Sequence, residues 1–211
     1  GQAGRVRKMQ VYGEDATDGR AGECVALNVP ELDHETVRRG MVLCESGAVE
    51  PVTMFEAELR LLDALAAPIK DGTEVHLHVG TASVLARLAM LEGRHMAAGE
   101  KQMIQLRPLE PLALVPGERF VLRANVAAEG HSELTTIGGG RVLGTSNLRL
   151  RRQKEWTISS LTARRDALDD PACWAELMVR ESSAPLSAVE LQNRCLLRNE
   201  EAAALFGQLR S

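Results

Sequence analysis

A chain of 211 residues with 45 % hydrophobic content can bury a sizeable core in one large or two small domains. Aromatic residues make up only 3 %, so that core must be built from Leu, Val, Ala and Met. A formal net charge of −4 excludes a strongly basic nucleic-acid-binding domain, so any such role must rest on local patches.

Residues 5–12 (RVRKMQVY) read as a strand with a basic start, and the polar, glycine-rich 13–22 (GEDATDGRAG) as a loop. Residues 24–29 (CVALNV) read as a second strand. PELDHETVRRG reads as a turn or short helical segment that Gly40 would stop. Met41 to Cys44 read as a third strand. Short strands divided by turns at this spacing indicate a barrel or sandwich rather than a parallel sheet. Residues 45–53 (ESGAVEPVT), punctuated by Gly and Pro, read as a linker.

Residues 55–65 (FEAELRLLDAL) fit both periods, and the β context downstream favours a strand for the first part. Pro68 and Asp71-Gly72 make a turn. Residues 74–79 (EVHLHV) alternate cleanly, with Val75, Leu77 and Val79 on one face and His76 and His78 on the other. Further strands are expected over 84–91, 101–106, 112–115 and around Phe120-Val121-Leu122. A triple glycine, Gly138 to Gly140, then leads into Arg141-Val142-Leu143. Glycines there permit positive φ and leave no side chain in the way of a neighbouring backbone or a phosphate. They mark either a barrel corner or a ligand contact. Six or seven short strands between residues 54 and 145 suit a second small barrel.

Composition then changes. Residues 147–154 (NLRLRRQK) carry Arg149, Arg151, Arg152 and Lys154, the strongly basic run of the chain. It reads either as a solvated linker or as a set of phosphate contacts. Beyond it the pattern is helical. Helices are expected over 157–168, after the Asp170-Pro171 start, after Ser187 with Glu190 as a capping box, and over 198–210. The last two resemble a helix-turn-helix.

Catalytic signals are absent. His76 and His78 would need a third metal ligand from His34, His95, His131 or a distant carboxylate, at no recognisable spacing, so no metal site is expected. Asp169-Asp170 and Glu200-Glu201 sit at helix starts, where the macrodipole favours them. No GxSxG, phosphate loop or dinucleotide fingerprint occurs, so no catalytic residue is expected. Cys24, Cys44, Cys173 and Cys195 form no CxxC pair, which fits a reduced, intracellular protein. Apolar runs are too short for a membrane span. The opening Gly1-Gln2, without an initiator Met or signal peptide, suggests a portion of something longer.

Three stretches together carry a family resemblance. GRAGECVALNVPELDHETVRRGMVL is similar to the end of the second domain of elongation factors that carry aminoacyl-tRNA. PIKDGTEVHLHVGTASVLARLAML, EPLALVPGERFVLRANV and TTIGGGRVLG are similar to the third domain. The HLHVGT and TIGGGRVL forms resemble the selenocysteine-specific branch more than the general factor Tu.

That resemblance implies a mainly β fold: two small barrels of the elongation-factor type and an α-helical, partial winged-helix segment. The implied domains are 1–50 (part of the second domain), 51–147 (third domain) and 148–211 (start of the winged helices). It further implies that GTP and Mg belong to a GTPase domain outside this stretch, which itself would hold no cofactor and be no enzyme. The implied partners are selenocysteinyl-tRNA, the ribosome and, through the winged helices, an mRNA recoding hairpin. A cytoplasmic monomer without membrane contact is implied as well. The aminoacyl-end pocket would include Gln10, Tyr12 and Cys24. A cation suited to a selenolate is expected at the position of Cys24, with Arg20 and Arg39 as nearby basic candidates. Gly139, with Arg141, His76, His78 and Thr81, would meet the tRNA backbone. The residues also admit a β-barrel and winged-helix regulator that binds nucleic acid, or a general aminoacyl-tRNA carrier.

Overall fold

A computed structural model describes residues 2–128, 131–197 and 199–208. The chain forms two compact units, Gly1–Met41 and Val42–Ser211.

The first unit is a three-stranded antiparallel sheet of β1 (Lys8–Val11), β2 (Glu14–Ala16) and β3 (Val25–Asn28), with β1 in the centre. The stretch 13–22, expected as a loop, supplies β2. Its Glu-Asp-Ala shows no apolar alternation, and the strand is set by its turn and cross-strand pairs. Tyr12 and Gly13 lie at φ 51° and 91°, the geometry of a type I′ two-residue hairpin. Asp15 then pairs with Lys8 at 2.8 Å and accepts from Gln10 Nε2 at 2.8 Å. Residues 30–40 form turns rather than a helix. Met41 to Cys44 form no strand and pair with no strand among the described residues, and Met41, Val42 and Leu43 stay exposed.

The second unit is built on a closed six-stranded antiparallel barrel. In chain order its strands are preceded by β4 (Pro51–Val52), which falls inside the expected linker. They are β5 (Phe55–Leu61), then β7 (Glu74–Val79) and β8 (Ala82–Met90) after the short β6 (Ile69–Lys70). Next come β9 (His95–Met96), β10 (Lys101–Pro108), β11 (Leu112–Ala113), β12 (Arg119–Ala128) and β13 (His131–Gly144). The barrel closes in the order β10-β5-β13-β12-β7-β8, while β4 pairs with β11 and β6 with β9 outside it. The strand reading of Phe55–Leu61 holds because its alternate residues Phe55, Ala57, Leu59 and Leu61 are all fully buried inside the barrel.

The interior is aliphatic, as the composition requires: Leu59, Leu77, Leu88, Ile104, Leu106, Leu122, Ile137 and Val142 are among its fully buried members. Each such side chain contributes about 1.5–3 kcal/mol by leaving water. The aromatic contribution is one edge-to-face pair, Phe55 and Phe120, with centroids 6.1 Å apart.

The triple glycine is not a turn, and it sits beside a register irregularity of β13 against β12 at Leu122/Arg123. Gly138, Gly139 and Gly140 lie inside β13, between β12 and β5, and none has positive φ. What they supply is the missing Cβ. A Cβ on Gly138 or Gly140 would collide with the carbonyl oxygens of Arg60 and Glu58, and one on Gly139 would stand 2.5 Å from that of Phe120. The three strands approach too closely here for any side chain.

Four helices follow: α1 (Glu155–Ala167), α2 (Pro171–Arg180), α3 (Ala188–Cys195) and α4 (Asn199–Gln208). The expected caps are formed. Asp170 accepts from the backbone of Ala172 and Cys173 with Pro171 at the first helical position. Ser187 and Glu190 make a reciprocal capping box. Ala175, Leu191 and Leu205 form the core that α2, α3 and α4 share. Arg198 and Arg210, at the expected ends of the last helix, lie outside the described residues.

Helix α1 docks on the barrel. Leu161 meets Leu91, Met103 and Leu143 on the barrel exterior, with Ile158 and Leu168 packed alongside. Arg164 bridges the barrel's Glu56 (3.8 Å) and Glu181 after α2 (2.8 Å), and Arg165 reaches Glu58 at 3.4 Å.

Candidate functional site

Two stretches of barrel exterior carry the residues singled out from sequence. The first runs across β7, β12, β13 and β5. Strand register sets His78 opposite Val121, Val121 opposite Gly139, Gly139 opposite Arg60 and Arg60 opposite Lys101. One row further along, His76 stands opposite Arg123. The barrel thus brings His76, His78 and Gly139 onto one outer face, and adds Arg60 and Lys101. Thr81 lies exposed at the β7–β8 hairpin tip, off the row. Without a Cβ, Gly139 leaves this face low between Val121 and Arg60. Val121 is exposed, and the buried Nε2 of His78 has no hydrogen-bond partner.

Arg141 leaves this group. It extends from β13 toward the helices, where Asp169 holds its guanidinium at 2.8 Å. Asp169, read as a helix-start acid, is therefore also a tie between the helical segment and the barrel.

The second stretch is where the basic run lies. Residues 146–153 are tied down along their whole length. Asn147, at φ 54°, accepts from the backbone of Thr53 and Met54 at 2.9 and 3.1 Å. Ser146 Oγ donates to Glu56 at 2.6 Å, and Gln105 Nε2 donates to the carbonyl of Leu148 at 2.6 Å. Arg152 donates to the carbonyl of Met90 at 3.1 Å and pairs with Asp71. The backbone N–H of Gln153 closes the segment on Leu91 O at 2.8 Å. The backbone of this run is therefore held against the barrel, while Arg149, Arg151 and Lys154 stay exposed to solvent.

Two carboxylates hold this segment in opposite electrostatic states. Burial pushes Glu56 above the usual carboxylate range, although bonds from Ser146 and Gln105 and the charge of Arg164 pull the other way. For Asp71, burial pushes up, but the Met90 N–H and the Arg152 guanidinium outweigh it and hold the group below its usual range. The pinned segment overlies β8 and β10 and encloses a cleft of about 460 Å³, lined by Asp71, Arg87, Arg107, Arg149, Arg151 and Arg152 among others. Lys154 lies beyond the cleft, as the residue that precedes α1. Arg87 and Arg107 carried no motif. Arg87 is the single charge of the largely apolar β8 and Arg107 is one of two on β10, and only register reveals that they stand face to face.

In the first unit, Gln10 lies at the centre of β1 and donates to Asp15, while Tyr12 sits in the hairpin turn and is strongly exposed. The Tyr12 N–H donates to the carbonyl of Cys24 at 3.1 Å, which brings these two together beside the sheet. Cys24 is an exposed free thiol, and Arg20 and Arg39 are exposed. Among the described residues, no group of three or more His, Cys, Asp or Glu side chains could hold a metal ion. The side chain of His131 lies outside them. No described helix is long and apolar enough to cross a membrane.

A barrel whose interior is filled by side chains, and whose functional groups all point outward, defines a module that presents surfaces rather than one that encloses a substrate. Residues 56–148 match the family model for the beta-barrel domain of selenocysteine-specific elongation factors. Over 165 residues the chain is 33 % identical to the selenocysteine-specific elongation factor of Desulfomicrobium baculatum, covering 77 % of this chain and 25 % of that one. Over 162 residues it is 23 % identical to that of Haemophilus influenzae, covering 76 % and 25 %. Residues 56–148 are thus similar to the barrel domain of that family, and the chain spans about a quarter of the length of these curated relatives.

Proposed function

We propose that this chain is the tRNA-binding portion of a factor that delivers selenocysteinyl-tRNA to the ribosome at a recoded stop codon. The observation that carries the reading is the row His78–Val121–Gly139–Arg60–Lys101 on a barrel similar to that of this family. It combines two cations, one imidazole and a low, side-chain-free point, which suits the approach of an RNA backbone. In this reading residues 1–50 belong to the domain that pockets the aminoacyl end, with Gln10, Tyr12 and Cys24 in its wall. Residues 51–147 contact the T-stem, and 148–211 begin the winged helices that lead to an mRNA hairpin. GTP and Mg belong to a GTPase domain outside this stretch, and the factor works as a cytoplasmic monomer. The selenolate is far more ionised at neutral pH than a serine hydroxyl, so discrimination rests on charge. Arg20 and Arg39 are the basic candidates for that charge, and both are exposed.

With a GTPase domain of this family joined to it, the chain binds selenocysteinyl-tRNA far more tightly than seryl-tRNA in a nitrocellulose-filter assay. Equal affinities would sink the selenocysteine assignment and leave a general aminoacyl-tRNA carrier. Binding of duplex DNA in preference to either tRNA, at physiological salt, would replace both with a regulator.

A further inference from the structure

The cleft beneath residues 149–152 holds more positive charge than its surroundings neutralise. Arg87 on β8 and Arg107 on β10 are direct cross-strand partners on the outer face. Like charges in that position destabilise a sheet. Glu74 stands opposite Arg87 on its other side, yet no ion pair joins them. Among the described residues, no carboxylate comes within 4.0 Å of Arg87, Arg107, Arg149 or Arg151. The cleft's acid, Asp71, is occupied by Arg152 and by the backbone N–H of Met90. Arg107 gives both its Nε and a terminal nitrogen to the neutral amide oxygen of Gln105, at 3.2 and 3.1 Å. Its partial burial and the charges of Arg149 and Arg87 depress its proton affinity, despite the opposing pull of Asp71. An anion in the cleft relieves all of these at once.

The segment above the cleft is not placed there by chance contacts. Gln105, fully buried, binds Leu148 O and receives Leu150 N–H, and so fixes the backbone on either side of Arg149. Arg152, clamped on Asp71, forms a wall. The remaining guanidiniums are planar forks suited to the paired oxygens of a phosphate. In a chain of net charge −4, such a concentration of cations creates a local field that a polyanion finds and a neutral or cationic partner does not.

We propose that this cleft is a phosphate-binding site for an RNA backbone, in which Arg87, Arg107 and Arg149 ligate the phosphate oxygens and the Asp71–Arg152 pair holds the site open. It rests on the reading of this chain as an RNA-binding portion of a translation factor, and it adds a contact distinct from the row through Gly139.

The test uses the 211-residue chain and a fluorescein-labelled RNA hairpin, followed by anisotropy across a salt series. Arg87→Ala with Arg107→Ala should weaken binding by about tenfold or more and reduce the logarithmic salt slope by about two units. Arg149→Ala, on an exposed irregular segment where folding is not at stake, should weaken it severalfold and reduce the slope by about one. In ¹⁵N-edited spectra the Nε–Hε signal of Arg107 should shift on adding the hairpin. Wild-type affinity and slope in both variants, or an Arg107 signal that the hairpin leaves unmoved, overturns the proposal. So does an Arg107 shift produced by inorganic pyrophosphate that the hairpin cannot displace, since the site would then take free phosphates only. Arg60→Ala separates the two faces. If it weakens hairpin binding while the cleft variants do not, the cleft fails and the tRNA reading stands. If the cleft variants alone matter and the GTPase-joined chain prefers duplex DNA to tRNA, the cleft stands and the tRNA reading falls.

Discussion

The triple-glycine face and the arginine cleft lie on one barrel and are built on opposite principles. At Gly138–Gly140 the sequence is unusual and the structure accounts for it by packing alone: three strands come so close that no Cβ fits. At Arg87 and Arg107 the sequence is ordinary and the structure leaves a cost, two like charges face to face with no ion pair to either among the described residues. An unusual residue that packing explains does not by itself require a ligand, so the case for that face rests on the neighbours Arg60, Lys101 and His78. A residue whose placement costs stability points to a ligand that repays it.

The largest expected effect breaks that comparison at its packed end. Gly140→Val drives a side chain into the Glu58 carbonyl and should lose about 3 kcal/mol or more, or fail to fold, in urea denaturation. Unchanged stability would mean the strands can part and that packing does not account for the glycines. Gly139 shares the constraint, so substitutions there perturb folding and binding together, and Arg60 and Lys101 are the positions that test this face.

Next is the junction between barrel and helices. Arg164→Met removes the bridge from Glu56 to Glu181 and should destabilise the docking of α1 by about 1–3 kcal/mol. Faster amide exchange in α1, with barrel strands unaffected, is the expected signature. Exchange that rises equally in both would mean that helix and barrel open as one unit.

At the charged end the sign should reverse. Arg107→Thr relieves the cross-strand repulsion and should raise stability by up to about 0.5–1 kcal/mol in the RNA-free chain. A loss of stability would show that Arg107 is held by its bond to Gln105, and that the cleft stores no electrostatic cost.

Acidification gives the smallest effect. Asp71 is held below its usual range, so its contribution is fully present above its unfolded pKa. It is lost as pH falls through the lower folded value, below about pH 4. Glu56 runs the other way. Its raised value means that the cost of its buried charge fades as pH falls through that value toward the ordinary one. Between neutrality and about pH 5 the 146–153 segment should therefore stay attached, with proteolytic cleavage near Arg151 appearing only below about pH 4. Release above pH 5 would remove Asp71 as its anchor.

The alternation of 74–79, the Asp170-Pro171 start and the Ser187–Glu190 capping box were all legible in the sequence because each is a local rule of spacing or capping. So was the aliphatic core, because only three phenylalanines, two tryptophans and one tyrosine are available to the whole chain. Strand β2 was hidden, since a short charged strand is defined by its turn and its partner rather than by its own residues. The apolar Met41 to Cys44 misled for the same reason: propensity makes a strand only where the chain path brings a partner strand alongside. The triple glycine could be seen, but whether it turned, bound or packed depended on how near β5 and β12 come. The meeting of Arg87 with Arg107 under Arg149 depended on register and on the path of residues 146–153. Sequence fixes which faces are polar; only closure of the barrel decides which polar residues meet, because contacts between distant strands are set by register and not by spacing along the chain.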